Sequence, residues 1–202
     1  MTYSMTKEDD VVVRYFGDYV GRFLDLGAHD GITLSNTRLL AERGWSGVAV
    51  EASFESATLW YANMGSFANV KLVNAPVTAH GGIVDFWYVK GTCESTCSEE
   101  LKEKSAVRRG ATPILMEATT IERISQSFPG AFDFISIDLD GLSLEVMRSI
   151  NYAALGVRAV CIEYLHDDLV EKNEAPLVRE YMESQGFKLL HLSPENVIMV
   201  RR

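Results

Sequence analysis

The chain has 202 residues, and 28 Asp and Glu against 19 Lys and Arg give a formal net charge of -9. Hydrophobic residues make up 47% and charged residues 23%, and mean hydropathy is +0.01. That profile fits a globular domain and excludes a disordered, collagen-like or membrane-spanning chain. A pI near 5.0 counts against membrane surfaces and nonspecific nucleic-acid binding, both of which reward a basic face. One domain over residues 1–202 is expected, since a single core serves up to roughly 250 residues. Cys93, Cys97 and Cys161 cannot all pair and form no zinc-type array, so a reducing, cytoplasmic compartment is expected. The opening MTYSMTKEDD lacks the apolar stretch of a signal peptide.

Apolar β-rich runs alternate with helical stretches. Gly21–Leu26 reads as a strand, ended by the turn Gly27-Ala28-His29-Asp30-Gly31. A helix follows, with Thr33, Ser35 or Asn36 as cap and Leu34, Leu39 and Leu40 as its apolar face. Gly47–Glu51 is continuously apolar until its carboxylate, the pattern of a strand buried on both faces. A helix runs through Phe54, Ala57, Leu59, Trp60 and Tyr61, and Asn69–Asn74 is the third strand. Gly82–Tyr88 and Ile114–Thr119 are β-like. Between them Cys93–Gly110 is polar and charged, and is expected to cross the surface as a lid. Thr120–Phe128 is a short helix. Asp133–Asp138 and Arg158–Glu163 are strong buried strands, with a helix carrying Leu144, Val146, Met147 and Ile150 between them. A helix over Ala175–Ser184 leads to two β runs, Phe187–Leu192 and Asn196–Val200, joined by Ser193-Pro194-Glu195. The alternation predicts an α/β fold: a mostly parallel sheet with helices on both faces, closed by an antiparallel edge hairpin.

Ligands of such sheets bind beyond the carboxyl ends of the strands, where strand order reverses. Those positions here are Asp25–Gly31, Glu51-Ala52-Ser53, Asn74-Ala75-Pro76, Asp138-Leu139-Asp140-Gly141 and Glu163–Asp168. The first is glycine-rich but is not the dinucleotide G-x-G-x-x-G. Asp25 and Asp30 flank it, and two carboxylates repel a phosphate. Glu51 follows Gly27 by 24 positions, close to the roughly 20 that place a carboxylate on ribose hydroxyls. A nucleoside with a positive centre and no phosphate satisfies both features, and S-adenosylmethionine is such a ligand.

Phe23–Gly31, Val50–Ser53, Asn74-Ala75 and Ile137–Gly141 together resemble the ordered motifs of the FkbM family of class I S-adenosylmethionine-dependent methyltransferases. The resemblance runs from about Arg22 to Glu163. In that family the stretches read roughly D-x-G-A-x-x-G, (I/V)-E-P, N-x-A-(V/L) and K-(I/L)-D-(V/I)-E-G-x-E. Here Ala52 stands for the common Pro, Ser136 for Lys, and Asp140 for Glu. The resemblance implies a Rossmann-like seven-stranded sheet, S-adenosylmethionine as cofactor and a hydroxyl acceptor on a small molecule such as a sugar or polyketide-like metabolite. It implies that Asp25, Gly27, Ala28, His29, Asp30 and Gly31 surround the methionine part. Glu51 and Ala52 then meet the ribose, Asn74 and Ala75 the adenine, and Asp138 the methyl-transfer centre.

Two further residues are candidates for catalysis: Glu163, at the end of its strand, and His166, whose imidazole can take a hydroxyl proton near neutral pH. A divalent cation held by Asp138, Asp140, Glu163 and the His166-Asp167-Asp168 cluster is an alternative not favoured here. The rivals are a cofactor-binding sensor without methyl transfer and a nucleic-acid methyltransferase. The second lacks the N/D-P-P-Y/F motif, since Asp138-Leu139-Asp140-Gly141 stands there.

Overall fold

The computed structural model describes residues 2–93, 95–103, 110–165 and 173–202. In chain order the elements begin with α1 (Glu8–Phe16), β1 (Arg22–Leu26), α2 (Arg38–Glu42), β2 (Ser46–Glu51), α3 (Phe54–Met64) and β3 (Val70–Asn74). Next come β4 (Gly82–Tyr88), α4 (Glu99–Leu101), β5 (Thr112–Ala118), α5 (Ile121–Ser127), β6 (Phe134–Ile137) and α6 (Ser143–Ser149). The chain closes with β7 (Ala159–Glu163), α7 (Ala175–Ser184), β8 (Phe187–Leu192) and β9 (Asn196–Arg201).

Seven strands form one sheet in the order β3-β2-β1-β6-β7-β9-β8. Pairing is parallel from β3 through β7 and antiparallel where β9 meets β7 and β8. The expected architecture and edge hairpin are therefore present. Strand residues alternate between two apolar layers, as the period of two requires. Leu24, Leu26, Ile135, Ile137, Val160 and Ile162 pack with Ile124, Met147 and Met182 from α5, α6 and α7. Phe23, Phe134, Ala159 and Val200 face the other way, against Phe16, Leu40 and Trp60 from α1, α2 and α3. Each fully buried large apolar side chain contributes on the order of 1.5–3 kcal/mol. Trp45 and Trp60 are both buried in the core.

Three features differ from expectation. First, β4 and β5 leave the main sheet and pair with each other, and Trp87 of β4 also bridges Thr96. A parallel bridge between Val77 and Thr119 closes the base of this hairpin. Second, α2 begins at Arg38, later than the apolar spacing implied, and Leu34 is 42% exposed with φ 57°, outside any helical face. Ser35 still acts as a start signal: its Oγ accepts the amides of Thr37 and Arg38 at 3.3 and 3.0 Å. Third, α1 was not foreseen. Its acids Glu8 and Asp9 are fully buried, not solvated. Among the described residues no helix is long and apolar enough to cross a membrane.

Candidate active site

β1, β2 and β3 run outward in one direction from the centre of the sheet, and β6 and β7 in the other. At that reversal a cavity of about 210 Å³ opens beyond the strand ends. Asp25, Gly27, Ala28, His29, Glu51, Ala52, Ala75, Asp138 and Glu163 all line it. The strands deliver these residues because each candidate sits at or just past a carboxyl end.

The loop after β1 is shaped by backbone demands. Gly27 has φ 86°, and a Cβ there would fall on the Asp138 carbonyl oxygen. Only glycine lets β1 leave the sheet this close to β6. His29 is also left-handed, φ 46°. Its amide donates to Glu51 Oε2 at 2.8 Å, and its Nδ1 meets Ser56 Oγ at 3.0 Å. Ser53 donates its amide to Glu51 Oε1 at 2.6 Å and caps α3 by accepting the Ser56 amide. Two main-chain amides thus fix the Glu51 carboxylate, and its remaining lone pairs are left for hydroxyl donors. Burial pushes Glu51 up to about 7, against the pull of those two amides.

Asp25 lies deeper. It faces the α1–α3 layer with Ser136, its neighbour across β6. Thr37 Oγ1 donates to Asp25 Oδ2 at 2.6 Å, and Asn36 Nδ2 donates to Ser136 Oγ at 3.1 Å. Burial raises Asp25 to about 6, and the hydroxyls of Thr37 and Ser136 pull it back only in part.

Three of the candidate residues bond or pack elsewhere. Asp30 turns onto its own loop: Oδ1 accepts the amides of Ile32 and Thr33 at 2.8 and 2.7 Å, and Oδ2 accepts the Thr33 hydroxyl. These bonds hold its carboxyl below its ordinary value although burial opposes them. Gly31 packs against α3, where a Cβ would come 2.5 Å from Met64 Cγ. Asn74 donates its amide to the carbonyls of Glu51 and Ala52 at 2.7 and 3.1 Å, so it braces the β2 corner from outside the cavity. Neither Asp30, Gly31 nor Asn74 lines the cavity.

Ligand oxygens of Asp138, Asp140 and Glu163 lie within 4.8 Å of one another. Burial, then the charges of Asp138 and Asp140, pushes the Glu163 carboxyl well above the usual range, and a hydrogen bond with Asp138 adds to this. Oxygens so disposed can share a proton or accept a hard cation. His166, Asp167 and Asp168 lie outside the described residues.

The structure adds residues that the sequence did not single out. Met5, Asn36, Ser136, Glu195 and Asn196 reach the cavity from the first turn, the α2 approach, β6 and the β8–β9 turn. Asn36 had signalled only a helix cap. The region expected as a lid reaches the cavity through Cys93, Ser95, Thr96 and Cys97, next to Thr92. Its described part is anchored more firmly than its polarity suggests. Thr96 Oγ1 donates to the Asp140 carbonyl at 2.7 Å, Leu101 is 1% exposed, and a Cβ on Gly141 would touch both Leu101 and Ser98. At its other end Tyr88 and the Gly91 amide bond Glu55 at 2.5 and 3.0 Å, and Phe54 stacks on Tyr88. Residues 94 and 104–109 of the expected lid lie outside the described residues.

Among solved structures, the O-methyltransferase from Bacillus cereus in complex with SAH is similar, with TM-score 0.54 and 16% identity over 98% of this chain and 82% of that one. The ribosomal protein L11 methylase from Lactobacillus delbrueckii subsp. bulgaricus has TM-score 0.53 and 13% identity, covering 98% and 78%. Monomeric WbdD has TM-score 0.53 and 14% identity over 96% of this chain, which spans only 39% of WbdD. At these identities the likeness is one of fold. No curated protein sequence matches the chain. The model of the FkbM methyltransferase domain matches residues 25–189, from the carboxylate of β1 into β8. The match covers most of the chain and the ends of β1, β2, β3, β6 and β7 beyond which the cavity opens, so the protein belongs to the FkbM methyltransferase domain family.

Proposed function

We propose that the protein uses S-adenosylmethionine to methylate a hydroxyl of a small polar acceptor such as a sugar. The observation that carries this reading is the charge of the cavity. Asp25, Glu51, Asp138, Asp140, Glu163 and Glu195 line it, and among its described residues there is no Lys or Arg. Burial raises Asp25, Glu51 and Glu163, and a cationic ligand would favour their ionised forms. A ligand with an ammonium, a sulfonium and vicinal hydroxyls fits that donor set, and a phosphorylated dinucleotide does not. Family membership supports methyl transfer, and the SAH in the Bacillus cereus relative supports this choice of cofactor.

When bound, the cofactor supplies an electrophilic methyl group. Asp25 would hold the ammonium at the floor of the cavity, with Gly27 and Ala28 beside the aliphatic arm. Glu51, already aligned by the His29 and Ser53 amides, would accept both ribose hydroxyls, and Ala75 would flank the base. Burial favours the protonated form of Glu163, which would donate to Asp138 and leave Asp138 to accept the proton of the acceptor hydroxyl. The anchored segment from Tyr88 to Leu101 would limit water access and shape the acceptor side. An odd number of cysteines in no metal-type array supports a reducing, cytoplasmic setting.

Calorimetric titration of S-adenosylmethionine tests the cofactor assignment. One site is expected in the wild type, with binding about tenfold or more weaker in Glu51→Ala, as loss of a charged hydrogen-bond acceptor predicts. Absence of binding to the wild type, or equal binding by both proteins, would remove the assignment.

A further inference from the structure

Leu34 carries two costs that the fold itself does not offset. Its φ of 57° is left-handed, a conformation that strains a branched side chain and persists only where the surroundings impose it. Its side chain is 42% exposed and belongs to neither apolar layer. The surroundings do impose it. On one side Asp30 holds the amides of Ile32 and Thr33. On the other, Ser35 caps α2, Asn36 bonds Ser136 and Thr37 bonds Asp25. The side chain held in this way lines the cavity.

Met5 does the same from another element. It is 50% exposed and lines the cavity. Its flanks are tied down by buried acids: Asp9 accepts the Tyr3 amide and the Ser4 hydroxyl, each at 2.7 Å, and Glu8 accepts the Thr6 amide at 2.9 Å. Glu8 also accepts the Ser193 hydroxyl at 2.7 Å, which places this segment on the β8–β9 side. Leu34 is joined through Asn36 and Thr37 to β6 and β1. Leu34 therefore stands on the Asp25 side of the cavity and Met5 on its β8–β9 side, whereas Glu51 and Ala75 close the cavity at β2 and β3.

We propose that Leu34 and Met5 form an apolar cover over the aminoacyl arm of the cofactor. The proposal rests on the cofactor reading above. Covering that arm removes water from the Asp25 end, where a lower local dielectric strengthens attraction between a carboxylate and an ammonium. It would also bury the two side chains whose exposure nothing else in the fold accounts for. The rigid frame around Leu34 then has a purpose, since it keeps the cover pointed at the cavity before ligand arrives.

Two probes separate a cover from a merely structural residue: S-adenosylhomocysteine, which has the aminoacyl arm, and adenosine, which lacks it. Both are titrated calorimetrically into wild type, Leu34→Gly and Met5→Ala, alongside melting curves of the ligand-free proteins. Glycine adopts φ 57° without strain, so Leu34→Gly should melt no lower than wild type. S-adenosylhomocysteine should bind about tenfold weaker to Leu34→Gly and a few-fold weaker to Met5→Ala, as lost apolar burial predicts. Adenosine should bind all three proteins within about twofold, the additivity expected when no contact has changed. Unchanged S-adenosylhomocysteine affinity in both variants overturns the cover. So does equal weakening of both probes, which would mean that the loop acts through Glu51. A wild type that binds neither probe fails differently: it removes the cofactor reading, and the cover with it.

Discussion

The main-chain amide of His29 donates to Glu51 Oε2 at 2.8 Å, and His29 reaches that position by taking a left-handed φ of 46°. The loop after β1 and the end of β2 are therefore one unit: the residue that bends the loop also aims the carboxylate. Replacing Glu51 by Gln turns an NH2 group toward the amide of either His29 or Ser53. Glu51→Gln removes a charge that burial disfavours but leaves one amide facing a donor, at a cost of about 1–3 kcal/mol, so it should stabilise the protein at pH 8 less than Asp25→Asn does. Urea denaturation of the ligand-free proteins measures the difference, and equal midpoints would show that the amides do not depend on the carboxylate.

Gly27→Ala should be far more damaging. The added Cβ meets the Asp138 carbonyl oxygen, a backbone atom that cannot move without shifting β6, and φ 86° strains any side chain. A loss above about 3 kcal/mol is expected, in the class of overpacking combined with backbone strain. Gly44→Ala is the control for strain alone, because its φ of 87° is similar and a Cβ there meets nothing within 4 Å. The idea fails if the two variants melt together.

Stability of the ligand-free protein should fall as pH rises from about 5 to 8. Burial raises Asp25 from 3.8 to about 6 and Glu51 from 4.5 to about 7. Across that interval the folded chain holds protons that the unfolded chain has released, so unfolding becomes easier with rising pH. The contribution is full below the unfolded values and is lost through pH 6 to 7. Asp25→Asn should flatten the slope and stabilise the protein at pH 8 by on the order of 1–3 kcal/mol. A cationic ligand should reverse the trend, binding more tightly at pH 8 than at pH 5.5 with release of protons. Urea midpoints and calorimetry in two buffers of different ionisation enthalpy report both effects.

Thr96→Val keeps the shape of a residue that is 3% exposed but deletes the hydroxyl that donates to the Asp140 carbonyl and accepts the Ser98 amide, at 2.7 and 2.8 Å. Two polar groups lose a partner, for about 1–3 kcal/mol each if buried. The loss should be local. Amides from Tyr88 to Leu101 should exchange hydrogen faster while those of β1 and β6 keep their protection. Uniform loss of protection across the sheet would contradict this.

Most of the sheet was legible because β2, β6 and β7 are largely apolar runs, each closing on a carboxylate at or just past its last position, and β1 is apolar but for Arg22 and Asp25. That pattern also located Glu51, Asp138 and Glu163 at the ends where ligands bind. The rest was hidden for specific reasons. Leu34 counts as apolar in any periodicity, but side-chain bonds from Asp30 and Ser35 override its helical preference. Asp30 has the same composition signal as Asp25, and only the turn geometry makes one a brace and the other part of the cavity floor. Glu8 and Asp9 read as solvated acids. Burial pushes Glu8 up, yet bonds from Thr6 and Ser193 hold it below its ordinary value, and those partners are local in one case and at the far end of the chain in the other. The separate pairing of β4 with β5 depends on which strand each meets, and alternation within a strand carries no such information.

The Val77–Thr119 bridge has a consequence for divergence. The chain leaves the main sheet and returns to it at one point, so everything between is a cassette whose replacement need not disturb the pairing of any sheet strand. Among the described lining residues, Phe86, Thr92, Cys93, Ser95, Thr96 and Cys97 ride on that cassette, while Asp25, Gly27 and Glu51 stay on the main sheet and the loop after β1. A chimera carrying a relative's residues between these two anchors should therefore exchange what is methylated and keep the same methyl source.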